Sequence, residues 1–180
     1  MESVTLIIVI AASYLIGSVS FARLVTRLVS PEIDLSSIDM PSSTGGEPLH
    51  LRHYGANTAS MKLGPRWGCT IGVLDIIKVT ATTLAVRFMY PDQLYFLVAA
   101  VFGMVGHNWP IYYRFKGGGG MSSLYGGFLA VDWLGAIVCA SAGLFLGMAI
   151  VKDVLLAYVA GPWFMIIWLW FRTHDLAYVA

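Results

Sequence analysis

The chain has 180 residues, of which 58% are hydrophobic and only 12% charged, with a mean hydropathy of +0.74. Soluble domains carry about 25% charged residues, so this composition excludes a soluble globular domain and predicts an integral membrane protein. The net charge of +1 gives no general basic character and argues against a nucleic-acid partner.

Residues 3–22 are apolar apart from small hydroxyls and are long enough to span a bilayer. They lack the basic start and small-residue cleavage site of a signal peptide, so a retained helix is expected. Gly17, Ser18 and Ser20 are small enough to let a second helix approach closely.

Residues 30–66 form a long polar segment. Pro31, Pro41, Pro48 and Gly45-Gly46 interrupt any period over 30–49, which reads as irregular loop. Its second half is rich in donors: Arg52, His53, Asn57, Thr58, Ser60 and Lys62. Residues 67–89 form a second span that carries Asp75 and Lys78. Their i, i+3 spacing puts both on one helical face, turned to the bundle interior, where they can pair. A structural ion pair is the simpler reading, and a direct catalytic role the sharper one. Cys69 and Cys139 lie in separate apolar runs, which predicts buried thiols and no disulfide.

Residues 93–113 give a third span that ends near His107, Asn108, Trp109 and Pro110. Arg114 and Lys116, four glycines (Gly117, Gly118, Gly119, Gly120) and the hydroxyls Ser122 and Ser123 follow. Glycines allow the backbone to wrap an anion with N–H groups, and a helix starting at Met121 would add its positive end. This predicts a phosphate cradle at the membrane–water boundary. The competing reading is a flexible hinge between spans. A Cβ at Gly118 is expected to block the ligand and leave the fold intact.

Residues 121–150 are apolar except Asp132, as one long helix or a pair bent at Asp132-Trp133. Residues 154–171 are a further Trp-rich span, and the chain stops in an apolar run, Leu176–Ala180, which reads either as a sequence cut short or as the absence of a final helix. The expected fold is therefore an all-α, polytopic membrane bundle of five to six spans in one domain. The Lys and Arg bias puts both polar loops in the cytoplasm and the N-terminus outside. The sequence has no Cys/His metal cluster. The polar groups on the expected cytoplasmic face are mostly donors, suited to holding anions and developing negative charge.

The order of Tyr14-Leu-Ile-Gly-Ser18, Gly55-Ala-Asn-Thr58, Leu63-Gly64, Leu74-Asp-Ile-Ile-Lys78, Gly106-His107, Pro110 and Phe115-Lys-Gly-Gly-Gly-Gly120 resembles the bacterial membrane glycerol-3-phosphate acyltransferases that use acyl phosphate. The resemblance implies a plasma-membrane enzyme that transfers a fatty acyl group from acyl phosphate to glycerol 3-phosphate and makes lysophosphatidic acid. It implies no cofactor and no metal, with the two substrates and the lipid bilayer as partners. His107, Asn57 and Lys62 are the candidate catalytic residues. Arg114, Lys116, Gly117, Gly118, Gly119, Gly120 and Ser122 are the candidate phosphate ligands. Gly119 stands where the family pattern has Lys, and Lys62 lies beside Met61, where it has Arg. The alternative is an inactive relative that keeps the phosphate pocket as a membrane binding or regulatory protein.

Overall fold

The computed structural model describes residues 2–35, 38–40, 49–51 and 54–179. The chain divides into two compact units, residues 1–127 and 128–180. Four helical stretches are long and apolar enough to cross a membrane: Glu2–Val29, Pro65–Met89, Trp133–Val151 and Leu155–Thr173.

The first unit starts with α1 (Glu2–Gly17) and α2 (Phe21–Val29). The sequence suggests one continuous helix here, but the ladder breaks at Ser18–Ser20. Ser18 Oγ bonds back to the Tyr14 carbonyl at 2.8 Å, and Ser20 caps α2 by accepting from the Arg23 amide. Serines that compete for backbone groups favour such an interruption. The polar segment contains more structure than its composition suggests. Ile38–Met40 (β1) and Leu49–Leu51 (β2) pair antiparallel, with Ile38 opposite Leu51. Ala56–Leu63 forms α3, and Gly64 at φ +97° turns it into α4 (Pro65–Met89), with Pro65 at the first helical position. The expected donors Arg52 and His53 lie outside the described residues.

α4 is the spine of this unit. Gly68 lets α3 lie against it: a Cβ there would stand 2.8 Å from the Ala56 carbonyl. Cys69, the next residue, is exposed, contrary to the expected burial. α5 (Tyr95–Asn108) stops where Pro110 follows, because the residue before a proline is driven out of the helical region; Trp109 lies outside it at φ −128°, ψ 68°. Its 14 residues rise about 21 Å, short of the roughly 30 Å hydrocarbon core. α5 packs on α1 through glycine: a Cβ at Gly106 would meet Ser18 N at 2.9 Å, and one at Gly17 would overlap the Gly103 carbonyl. The small residues in the first apolar run thus serve the close approach that their size suggests.

α6 (Met121–Val131) is short, and the apolar stretch after it is broken at Asp132. Of the two sequence readings, the bent pair is the one observed. In the second unit Asp132 caps α7 (Trp133–Leu144): Oδ1 accepts from the Gly135 amide at 3.0 Å, and Oδ2 takes the Trp168 indole at 3.0 Å and Arg172 Nε at 2.9 Å. A π-helical turn, Phe145–Val151, extends α7. α8 (Val154–Thr173) packs back on α7 over a cluster of Cys139, Met165 and Leu169. Leu176–Tyr178 forms a short 3-10 turn.

Candidate functional site

The glycine loop is folded back onto the end of α5 by a short 3-10 turn, Ile111–Tyr113, and then by two consecutive left-handed residues, Arg114 (φ +52°) and Phe115 (φ +61°). Non-glycine residues adopt this conformation at a cost of roughly 1–2 kcal/mol each, so surrounding contacts hold it. The Phe115 amide donates to the Pro110 carbonyl at 3.0 Å and the Gly118 amide to the His107 carbonyl at 3.2 Å. From α2, Arg23 Nη2 donates to the Lys116 carbonyl at 2.8 Å. Its guanidinium lies between the rings of Tyr54, 3.3 Å from the centroid, and Tyr113, 4.5 Å away. The Tyr54 amide donates to the Gly117 carbonyl at 3.0 Å, so the second half of the polar segment meets the glycine loop.

The four glycines differ in what surrounds them. A Cβ at Gly118 would overlap His107 Nε2 and stand 2.9 Å from Cε1; one at Gly120, where φ is +83°, would lie 2.5 Å from Asn108 Oδ1. A Cβ at Gly119 would meet nothing within 4 Å. The close backbone approach at Gly118 is therefore to the imidazole of His107, and a side chain there disturbs the protein as well as any ligand. This corrects the expectation that only ligand binding would suffer. The Gly118 amide is already engaged. The Gly119 and Gly120 amides have no acceptor among the described residues.

Two helix starts converge on the loop. α3 begins at Gly55 with no side-chain cap, and a Cβ at Gly55 would lie 3.8 Å from Gly118 Cα and Gly119 N. α6 begins just after Gly120, with the Ser123 hydroxyl donating to the Gly120 carbonyl at 2.8 Å. Both starts rest on Gly72 of α4: a Cβ there would stand 3.5 Å from Ala56 Cβ and 3.7 Å from Ser122 Oγ. The first N–H groups of a helix have no partner within it and carry its positive end. Asn57, exposed, sits in the first turn of α3, and Ser122, half-buried, in that of α6. A cavity of about 350 Å³ opens beside the loop, lined by Asn108, Trp109, Phe115, Lys116 and Gly117–Gly119. The side chains of Arg114 and Lys116 are exposed at the loop. Lys62 is elsewhere: at the far end of α3, its ammonium donates to the Asp34 carbonyl.

Beneath the loop lies a buried polar network. Lys78 Nζ is 2.8 Å from Asp75 Oδ1, 3.1 Å from His107 Nδ1, and donates to the Val19 carbonyl at 2.7 Å. His107 Nδ1 lies 3.4 Å from Asp75 Oδ1. The pairing and burial of Asp75 and Lys78 match their spacing on one face. Their link to His107 was not legible, because it joins helices whose register only the fold sets. The helix α3, whose uncapped start is the site's second source of amides, was missed as well. Gly55 before Ala56, with Gly64-Pro65 behind, was the signal that could have marked it.

The family model described as glycerol-3-phosphate acyltransferase matches residues 7–180. The glycerol-3-phosphate acyltransferase of Shouchella clausii is 32% identical over 184 residues, covering 98% of this chain and 82% of the relative. That of Mycoplasma capricolum subsp. capricolum is 28% identical over 171 residues, covering 92% of this chain. The chain spans 61% of the length of that relative, and 46% of two other bacterial relatives that bear the same name. Among solved structures, PlsY (YgiH), an integral membrane glycerol 3-phosphate acyltransferase crystallised in a glycerol 3-phosphate form, shares the fold with a TM-score of 0.78 at 20% identity, over 97% of this chain and 81% of PlsY. With its apolar helices, its glycine loop and a family match over nearly its whole length, this integral membrane chain belongs to the glycerol-3-phosphate acyltransferase family.

Proposed function

We propose that the chain transfers a fatty acyl group from acyl phosphate to glycerol 3-phosphate, giving lysophosphatidic acid and inorganic phosphate. The observation that carries this reading is the meeting of two helix N-termini, α3 and α6, with the open amides of Gly119 and Gly120 beside His107. This is a surface of donors with scarcely a carboxylate, suited to phosphate and to a carbonyl oxygen gaining charge. Exposed Arg114 and Lys116 add formal charge at its rim, and Asn57 and Ser122 add side-chain donors. His107 is the catalytic candidate. Lys62, engaged with the Asp34 carbonyl at the other end of α3, has no part in this proposal.

In the reaction, a hydroxyl oxygen of glycerol 3-phosphate attacks the acyl carbonyl carbon. A C–O ester bond forms, the C–O bond to phosphate breaks, and the departing phosphate takes the hydroxyl proton. Amides and cations stabilise the oxyanion and the leaving group, so the chain supplies position and electrostatics. The Lys and Arg bias supports a cytoplasmic placement of both polar segments in the plasma membrane, with the N-terminus outside. Protein reconstituted in lipid nanodiscs, given acyl phosphate and labelled glycerol 3-phosphate, is expected to form labelled lysophosphatidic acid. Folded protein that binds glycerol 3-phosphate and forms no product would refute the transfer and leave a binding protein.

A further inference from the structure

We infer that Lys78 fixes the tautomer of His107, so that the imidazole presents an Nε2–H towards the glycine loop and serves there as a hydrogen-bond donor. The donor role rests on the acyl-transfer reading, and the tautomer on the geometry alone.

An ammonium has three protons and no lone pair. Lys78 Nζ faces three polar atoms: Asp75 Oδ1 at 2.8 Å as an ion pair, the Val19 carbonyl at 2.7 Å and His107 Nδ1 at 3.1 Å. The Val19 carbonyl is open because the helix is interrupted. The Arg23 amide, its ordinary partner four residues on, turns to Ser20 Oγ instead. A protonated Nδ1 would set an N–H against the ammonium, whereas a bare Nδ1 completes its coordination. Nδ1 is also closer to Lys78 than to Asp75 Oδ1, 3.4 Å away. The single proton of the neutral imidazole then sits on Nε2.

Nε2 is the ring atom that a Cβ at Gly118 would overlap. His107 is buried, and the absence of a side chain at position 118 lets the Nε2–H edge lie directly against the glycine loop. A bare nitrogen on that edge could take a proton, but an Nε2–H cannot; it donates to a phosphoryl oxygen or to the oxyanion formed at the acyl carbonyl. His107 thus keeps its proton through the transfer, in agreement with a leaving phosphate that carries the hydroxyl proton away. Lys78 is a positioning residue: it acts on the substrate only through His107.

The test is nitrogen NMR of protein carrying 15N-histidine in nanodiscs, with the His107 signals identified by their loss in His107→Gln. The expected spectrum shows a protonated Nε2 and a bare Nδ1. Lys78→Met should convert it to a mixture of tautomers and lower kcat by about 10²-fold, the scale of losing one oxyanion donor, with KM for glycerol 3-phosphate little changed. Lys78→Arg, which keeps a cationic donor, should restore the Nε2–H signature in part. A wild-type spectrum with a protonated Nδ1 overturns the inference, whether or not the variants fold. So does a folded Lys78→Met protein whose His107 signals are unchanged. An Nε2–H signature in protein that makes no lysophosphatidic acid would instead support the tautomer and count against the acyl-transfer reading.

Discussion

Substituting Gly118 and Gly119 separately by Ala distinguishes a shaped site from a flexible connector. At Gly118 the new Cβ overlaps His107 Nε2 and lies 2.9 Å from Cε1 and 3.2 Å from Cδ2, so the ring has to move. The ring is held on its other side by Lys78 at 3.1 Å, and moving it breaks a charge-assisted hydrogen bond worth roughly 1.5–3 kcal/mol. For a chain of this size, each kcal/mol shifts the thermal midpoint by about 2–4 °C, so Gly118→Ala should melt roughly 3–12 °C lower. At Gly119 the Cβ points into open space, and φ is not positive there. Gly119→Ala should therefore be neutral or gain about 0.4–1 kcal/mol through a less flexible unfolded chain. The assay is a thermal unfolding curve in detergent for both variants, together with calorimetric titration of glycerol 3-phosphate. A hinge would register the two substitutions alike. Equal midpoints for Gly118→Ala and Gly119→Ala would refute the packing of His107 against Gly118 and with it the shape argued for the site.

Gly119→Lys should be accommodated without loss of thermal stability and should tighten glycerol 3-phosphate binding by about 10–100-fold, the equivalent of one charge-assisted hydrogen bond; unchanged affinity by calorimetry would remove Gly119 from the phosphate site. Asp75→Asn leaves Lys78 without its counter-charge and should cost roughly 3–5 kcal/mol, read as a lowered denaturation midpoint, because breaking one half of a buried pair strands the other. Arg23→Gln removes a cation held between two aromatic rings as well as the bond to the Lys116 carbonyl; limited proteolysis should then cut the glycine loop faster than in the wild type. Gly106→Leu should abolish folding, since even a Cβ there meets Ser18 N at 2.9 Å; a folded variant by size-exclusion chromatography would contradict the α1–α5 contact.

The sequence was most informative where one residue type decides the outcome. Hydropathy located the apolar helices, and the i, i+3 spacing placed Asp75 and Lys78 on a buried face. The small residues Gly17 and Ser18 marked the α1–α5 contact. It was least informative where long-range geometry decides. Nothing local distinguishes Gly118, pressed against an imidazole, from Gly119, which faces open space. That Lys62 bonds to the Asp34 carbonyl depends on how α3 docks. The interruption at Ser18–Ser20 was hidden because its residues are as apolar or small as their surroundings, and only the competition between hydroxyl and backbone bonding reveals it.

That interruption bears on how the chain enters the bilayer. α4 carries Asp75 and Lys78, and on its own it would bring in two ionised groups at roughly 5–7 kcal/mol together by insertion scales, less what their mutual attraction recovers. The remaining partners of Lys78 come from the opened turn 59 residues upstream and from an imidazole 29 residues downstream. When α4 leaves the ribosome, the upstream carbonyl has already been synthesised and α5 has not. The Val19 carbonyl can therefore solvate the lysine in part, and full neutralisation waits for α5. Insertion of this segment is thereby coupled to helix association, and the chain commits α4 to its final depth only once the polar network can close.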